Sequence, residues 1–440
     1  MIKYILDNKL LIIIIHLIFG YLATQAIFPK FYGIVIVVLP IFLIYASNNE
    51  NEEAFTLASY LVGGEVFIRM TGGLILYETG KYGVILFLML GILVGRFKQN
   101  FSPHYVFYIL LLLLGIVFTQ VPEGESLRTN IAFNLSGPVV LGVASFYFYK
   151  RPITKQQLYD ALFFMLLPLF SMISYLYFRT PDLKEIVFNS EANFTTSGGF
   201  GPNQVATAIG MGMFVLTIFV LPKKRLTGYY FLDAIFLIYF SYRGLLTFSR
   251  GGIITAFISL ILFSFFYVIY KRISFSVILK YLLIISFFLV SIWVYTSGIT
   301  GGMLENRYTG RNKIGVKEDI SSGRIKIFEV QFENFLDNPL GIGVGNGKYQ
   351  RRKEINMVTG ASHNEVGRLL EEHGFIGFFL LILLLVMPIF NFFRSDFYGK
   401  AFIAGFYVIW FLTINHSAMR IALPGFVYAL TLIRIYDDEE

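Results

Sequence analysis

The sequence predicts an all-α, polytopic transmembrane helical bundle of 12 to 14 spans with one large external loop containing short helices. Three observations predict it. Hydrophobic residues make up 56% of the 440 and charged residues 15%, where a soluble domain carries about 25% charged residues. The apolar residues come in runs near the roughly 20-residue length that crosses a bilayer. Lys and Arg collect in breaks at alternate ends of those runs, which the positive-inside rule assigns to the cytoplasm.

The chain opens on a basic flank and a long apolar run without a small-residue cleavage site, so a retained first helix is expected rather than a signal peptide. Spans are expected near residues 10–28, 31–47, 54–71, 82–95, 104–119, 131–149, 158–178, 203–221, 229–247, 251–270, 277–296, 374–393, 399–416 and 418–435. The cytoplasmic breaks carry Arg96 and Lys98, then Lys150, Arg151 and Lys155, then Lys223, Lys224 and Arg225, then Lys271 and Arg272, then Arg394 and Lys400. The breaks near Pro29, Gly72 to Lys81, Gln120 to Asn130 and Arg179 to Pro202 are external on this reading. Both termini are then cytoplasmic. The chain divides into an N-terminal bundle (1–296), an external loop (297–373) and C-terminal transmembrane helices (374–440). Cysteine is absent, which excludes disulfides, thiolate metal sites and a cysteine nucleophile.

Within the loop, Ser321 or Ser322 can cap a helix whose apolar face is Ile325, Phe328, Phe332 and Phe335, ended by Asn338-Pro339. A glycine-rich turn, PLGIGVGNGKY, follows. Its spacing and the lack of a strand–helix unit around it exclude a dinucleotide fingerprint. A basic patch of Arg351, Arg352 and Lys353 comes next. Ser362 and Glu365 have capping-box spacing, which puts His363 in the first turn of a helix that stops at Gly374.

Three polar features share the expected external face. Ser249-Arg250-Gly251-Gly252 stands at the junction of two spans, with Arg243 seven residues before Arg250. An arginine at membrane depth costs about 2.5–3.5 kcal/mol on insertion scales and marks a pathway or an anionic ligand. The glycines open the next helix, whose free N–H groups favour an anion. An interface anchor is the plainer role, more so for Arg243 than for Arg250. Ser322-Gly323-Arg324 opens the loop helix, where a guanidinium offers a fork to phosphate; alone it would be a solvated charge. His363 near a helix N-terminus favours the neutral imidazole that accepts a proton; alone it reads as structural. Other polar residues have plain readings first. His373 serves a helix C-terminus, Glu65 and Arg69 pair at i and i+4, and the Asp437 to Glu440 tail is solvated. Asn203 opens a span at the external face, and Arg420 stands near His416 where the last two spans turn, available as a further anion contact.

The order of these pieces carries a resemblance. SRGG at the start of a span, SGR early in the loop, NPLGIGVGNG further along and HN(x9)GxxG leading into the next span resemble the O-antigen ligase and polymerase family of bacterial membrane glycosyltransferases. The resemblance covers roughly Asn203 to Gly377. It implies transfer of a glycan from an undecaprenyl diphosphate carrier to an acceptor hydroxyl on the outer face of the inner membrane, without a metal or other cofactor. Arg250 and Arg324 would hold the diphosphate, His363 would orient or deprotonate the acceptor hydroxyl, and Asn364 would support it. Turns resembling the one at Asn203 occur in the family, which makes Asn203 a candidate to line the site.

Two other classes compete. A polysaccharide or lipid-linked-oligosaccharide transporter or flippase predicts polar residues spread through the spans and paired discontinuous helices at mid-membrane. A metal-dependent lipid-sugar transferase predicts carboxylates in the first external loop, whereas Phe28-Pro29-Lys30-Phe31 has none. The sequence does not distinguish an acceptor on lipid A core, as for a ligase, from one on a second carrier-linked glycan, as for a polymerase. The polymerase is preferred on base rate alone.

Overall fold

A computed structural model describes residues 2–95, 100–221, 225–321, 323–354 and 362–437. Arg96, Lys98, Lys223, Lys224, Ser322 and the tail beyond Asp437 lie outside the described residues. The architecture is all-α and polytopic. The helices are α1 (Ile2–Asp7), α2 (Lys9–Leu22), α3 (Ile27–Ser47), α4 (Glu53–Thr71), α5 (Thr79–Val94), α6 (Pro103–Leu114), α7 (Leu127–Phe148), α8 (Lys155–Arg179), α9 (Pro202–Val220), α10 (Tyr230–Leu246), α11 (Arg250–Lys271) and α12 (Phe275–Ile299). Three short helices follow: α13 (Met303–Thr309), α14 (Arg324–Asp337) and α15 (Gly347–Glu354). Then come α16 (Glu365–Arg394), α17 (Phe397–His416) and α18 (Leu423–Leu430). Among the described residues, eight of these helices are long and apolar enough to cross a membrane.

The core is built on α8, which packs against α2, α4 and α9. Small residues permit these approaches. A side chain at Gly63 of α4 would overlap the Met165 carbonyl of α8, and one at Gly20 of α2 would overlap the Ser171 carbonyl. Close backbone approach at small residues is how helices associate where lipid removes the hydrophobic drive. The helices after the loop join the same core, α17 against α11 and α18 against α7. At the periphery, 6% of the α12 span is buried, and its apolar side chains face outward.

Local expectations were corrected in three places. The break expected at Pro29 lies instead at residues 23–26, because Pro29 sits in the first turn of α3, where a missing N–H costs nothing. The last span is helical only over Leu423–Leu430. Before it, residues 417–422 run without helix but buried, and after it Pro152–Thr154 (β1) pairs in parallel with Arg434–Tyr436 (β2). Non-helical backbone at membrane depth is tolerated when protein satisfies its polar groups, and the Glu65 carboxylate receives Ala422 N–H at 2.6 Å.

The third correction concerns α14. Ile325 and Phe332 are exposed, whereas Ile327, Val330, Gln331, Asn334 and Phe335 face the protein. The helix is rotated because Gln331 and Asn334 donate to the buried Glu371 carboxylate at 3.1 and 2.9 Å. Its exposed residues mix the apolar Ile325, Phe332 and Leu336 with the charged Lys326, Glu329, Glu333 and Asp337, the composition of a helix at a water–membrane interface. No serine caps it: Gly323 occupies the N-cap, and Asp319 accepts from the Ser321 and Gly323 N–H groups.

Candidate active site

His363 is held just ahead of α16, not within its first turn. Asn364 is the N-cap, its side chain accepting from Val366 N and Gly367 N at 2.9 and 3.2 Å. The expected Ser362–Glu365 box does not form. Ser362 Oγ instead donates to Asn364 O at 2.8 Å, and Glu365 pairs with Arg368. The 417–422 turn then clamps the loop: Ala418 N donates to His363 O at 3.0 Å and Arg420 Nη2 to Ser362 O at 2.8 Å. The first segment of α16 stops at Gly374, whose φ of 58° and ψ of −136° interrupt the helix, a conformation open to glycine. The glycine-rich turn covers the carbonyls this break exposes, with Ile342 N donating to Glu371 O at 3.0 Å and Gly343 N to Glu372 O at 3.1 Å. A side chain at Gly374 would overlap Pro339 O.

The expected basic patch is partly internal. Arg351 is 2% exposed, and its Nη1 donates to Glu371 Oε1 at 2.6 Å. The side chains of Arg352 and Lys353 lie outside the described residues.

Arg250 is the first residue of α11, after a three-residue break from α10 in which Phe248 takes a φ of 56°. Ser249 Oγ donates to Asn203 Oδ1 at 2.8 Å, so Asn203 anchors the break. The two glycines serve contact: the His416 ring packs on Gly251, and the Ala206–Thr207 backbone packs on Gly252. Arg250 reaches away from the bundle, donating to Arg307 O at 2.9 Å and Ile320 O at 2.6 Å.

Arg307, which sequence reasoning missed, completes the group. It lies on α13, where Nε donates to Phe248 O and Nη1 to Ser190 O, both at 3.0 Å. Burial pushes the Arg307 guanidinium down from its ordinary pKa, and the charges of Arg250 and Arg324 add to the shift. Arg324 is pushed down likewise, by burial and then by Arg250. Among the described residues no carboxylate lies within ion-pair distance of these three arginines, and the Arg324 guanidinium makes no hydrogen bond. His363 stands within the field of Arg324. Burial holds its imidazole down to about 4, with Arg420, Arg324 and His416 contributing in that order. Its ring also lacks a hydrogen-bond partner among the described residues.

The second missed residue is His416, 7% exposed. Its Nδ1 lies 2.8 Å from Leu412 O, so it carries the proton and leaves Nε2 as the acceptor. Nε2 lies 3.3 Å from Thr207 Oγ1, but that hydroxyl's one proton is claimed by Asn203 O at 2.8 Å. Neither residue carried a local signal: Arg307 lies outside any glycine motif, and His416 sits in an apolar run.

Other candidates take supporting positions. Arg243 is 4% exposed, and its Nη2 donates to Leu176 O, Thr180 Oγ1 and Thr196 O at 3.2, 2.9 and 3.0 Å. It ties α10 to α8 and to the chain ahead of α9. Glu65 and Arg69 do pair within α4, at 3.5 Å, but the pair extends to Glu78 and Lys81 in a buried set of two cations and two anions. Arg69 also donates to Arg420 O at 3.1 Å, so this set braces the turn that clamps His363. His373 is 2% exposed and packs on Gly115 at the α16 break.

A neutral histidine at this site makes the pH dependence specific. The base form is present above about 4 and is lost as pH falls through that value. Removing a neighbouring cation relieves the repulsion and raises the pKa. Arg420→Leu is therefore expected to move the acid limb of the rate–pH profile upward, read from initial rates between pH 4 and 8. An unmoved limb would separate His363 from the titration.

The fold and the site together define a polytopic membrane protein with a guanidinium cluster, free of direct ion pairs among the described residues, near a neutral imidazole. Residues 234–382 match the family described as O-antigen ligase. The match makes this region similar to O-antigen ligases and supports a membrane glycosyltransferase type in general. It includes Arg250, Arg307, Arg324 and His363 and stops short of His416 and Arg420. Among curated proteins none matches the chain.

Proposed function

We propose that this protein transfers a glycan from an undecaprenyl diphosphate carrier to an acceptor hydroxyl at the outer face of the bacterial inner membrane, in O-antigen, capsule or exopolysaccharide assembly. One observation carries the reading. Arg250, Arg307 and Arg324 gather with no carboxylate in ion-pair distance among the described residues, and the unpartnered imidazole of His363 feels the charge of Arg324. Half-buried guanidiniums without a direct ion pair are stabilised when an anion completes them. In the proposed reaction the acceptor oxygen bonds to the anomeric carbon, whose bond to phosphate oxygen breaks. The diphosphate leaves with the electron pair, and guanidinium donors fixed beforehand stabilise the charge as it develops. The hydroxyl proton passes to His363, held neutral for that purpose. Asn364 fixes the helix that carries it.

Polymerase is preferred over ligase, and the test in cells addresses both. His363→Ala and Arg250→Ala are each expected to abolish polymer while leaving protein in the membrane. Normal polysaccharide length and amount on a gel in both variants would sink the assignment. Deleting the gene separates the acceptors: single repeats on core indicate a lost polymerase, full-length polymer still on its carrier a lost ligase. The reaction is proposed to need no metal, because the arginines supply the positive charge. Turnover by purified enzyme in chelator is expected to equal turnover without it; loss restored by a divalent cation would overturn this.

A further inference from the structure

A cavity of about 310 Å³ opens on one flank of Arg250, and no role has yet been given to it. Three parts of the chain enclose it: Ser190 and Glu191 ahead of α9, Arg250 with Arg307, and the hairpin running from Gly310 to Ile320. The walls are braced. Arg307 Nη1 donates to Ser190 O at 3.0 Å, Arg250 Nη2 to Ile320 O at 2.6 Å, and residues Arg311 and Lys317 bridge across the hairpin.

The charges of this lining balance. Arg250, Arg307 and Arg311 face Glu191, Glu318 and Asp319, three of each sign. Beyond this lining the composition differs: Gly323 of the cavity leads into Arg324, whose charge reaches His363 together with that of Arg420, and Glu365 is committed to Arg368. This asymmetry sorts the parts of a ligand. A diphosphate is drawn toward Arg324 and Arg420 and is repelled by the three carboxylates of the cavity. A neutral polyol suits a lining that alternates guanidinium donors with carboxylate acceptors, because each hydroxyl both donates and accepts. The volume is at the small end of ligand pockets, the scale of one sugar ring rather than an oligosaccharide.

We propose that this cavity holds the monosaccharide joined directly to the carrier diphosphate, with Glu191 and Glu318 accepting its hydroxyl protons and Arg311 donating to its oxygens. The proposal rests on the transferase reading and adds to it the part of the substrate that confers donor selectivity. Arg250 then stands at the junction, between the sugar on one side and the diphosphate on the other.

The test uses the full-length protein in lipid nanodiscs and measures binding of undecaprenyl diphosphate bare or carrying glucose, galactose or N-acetylglucosamine. At least one sugar-bearing carrier is expected to bind more tightly than the bare one. In the double variant Glu191→Ala, Glu318→Ala that advantage is expected to fall by about 10-fold, the scale of charge-assisted hydrogen bonds, with bare-carrier affinity not lowered. Both carboxylates are exposed and make no side-chain hydrogen bond to a described residue, so an unchanged thermal midpoint is expected alongside. If no sugar improves on the bare carrier, or if the double variant keeps the full advantage, the cavity proposal is overturned. If the bare carrier does not bind, or binds Arg324→Ala as tightly as wild type, the transferase reading itself fails and the cavity proposal with it.

Discussion

Arg324→Ala is expected to lower glycan transfer by about 100- to 1,000-fold, the usual loss when one fixed donor to a developing anion is removed, with little change in stability. The second half of that expectation follows from its surroundings. Its guanidinium makes no hydrogen bond or ion pair with a described residue, and burial beside Arg250 already pushes its pKa down. Removing a charge the fold does not use costs the fold nothing. Arg324→Lys keeps a charge but loses the fork that engages two phosphate oxygens, so partial activity is expected. Arg243→Ala is the control, since that side chain holds acceptors at the end of α8 and in the chain ahead of α9; there, protein abundance is expected to fall. Initial rates with purified protein, read with thermal midpoints, distinguish the two. Near-normal transfer by Arg324→Ala would remove it from the site.

Glu371→Ala should have the opposite signature, a loss of stability of about 3–5 kcal/mol, the range for breaking a buried ion pair from one side. The carboxylate is fully buried and accepts from Arg351, Gln331 and Asn334. It thereby joins α14, α15 and α16, the elements that bring Arg324 and His363 together. Its removal takes one carboxylate from the buried Arg351 and leaves the Gln331 and Asn334 amides without this acceptor. The expected result is a marked fall in thermal midpoint, with activity lost in proportion to folded protein. An unchanged midpoint would mean that α14 is held by other contacts.

These two residues also mark how far the sequence could be read. Arg324 was visible because a short motif flags it: glycine, then arginine, at the head of an amphipathic helix. Arg250 and His363 were visible for the same reason, each at a helix start with a glycine break nearby. Glu371 carried no such mark, since a glutamate in RLLEEHG reads as an ordinary solvated charge. The rotated face of α14 has the same origin. Of its expected apolar face Phe335 is buried, but Ile325 and Phe332 point outward, and Gln331 and Asn334 turn inward to meet a carboxylate 40 and 37 residues away.

By itself the sequence determined the all-α membrane class, the near positions of most helices, the helix starts at Arg250 and Arg324 and the break at Gly374. All of these depend on neighbours within a few residues, through hydropathy, capping and φ/ψ preference. Only the tertiary structure decided that His416 packs on Gly251, that Arg307 joins Arg250 and Arg324, and that Glu371 holds Arg351. Those pairings join segments far apart in the chain, and the energy of a buried charge depends on which other charges the fold brings to it rather than on its neighbours in sequence.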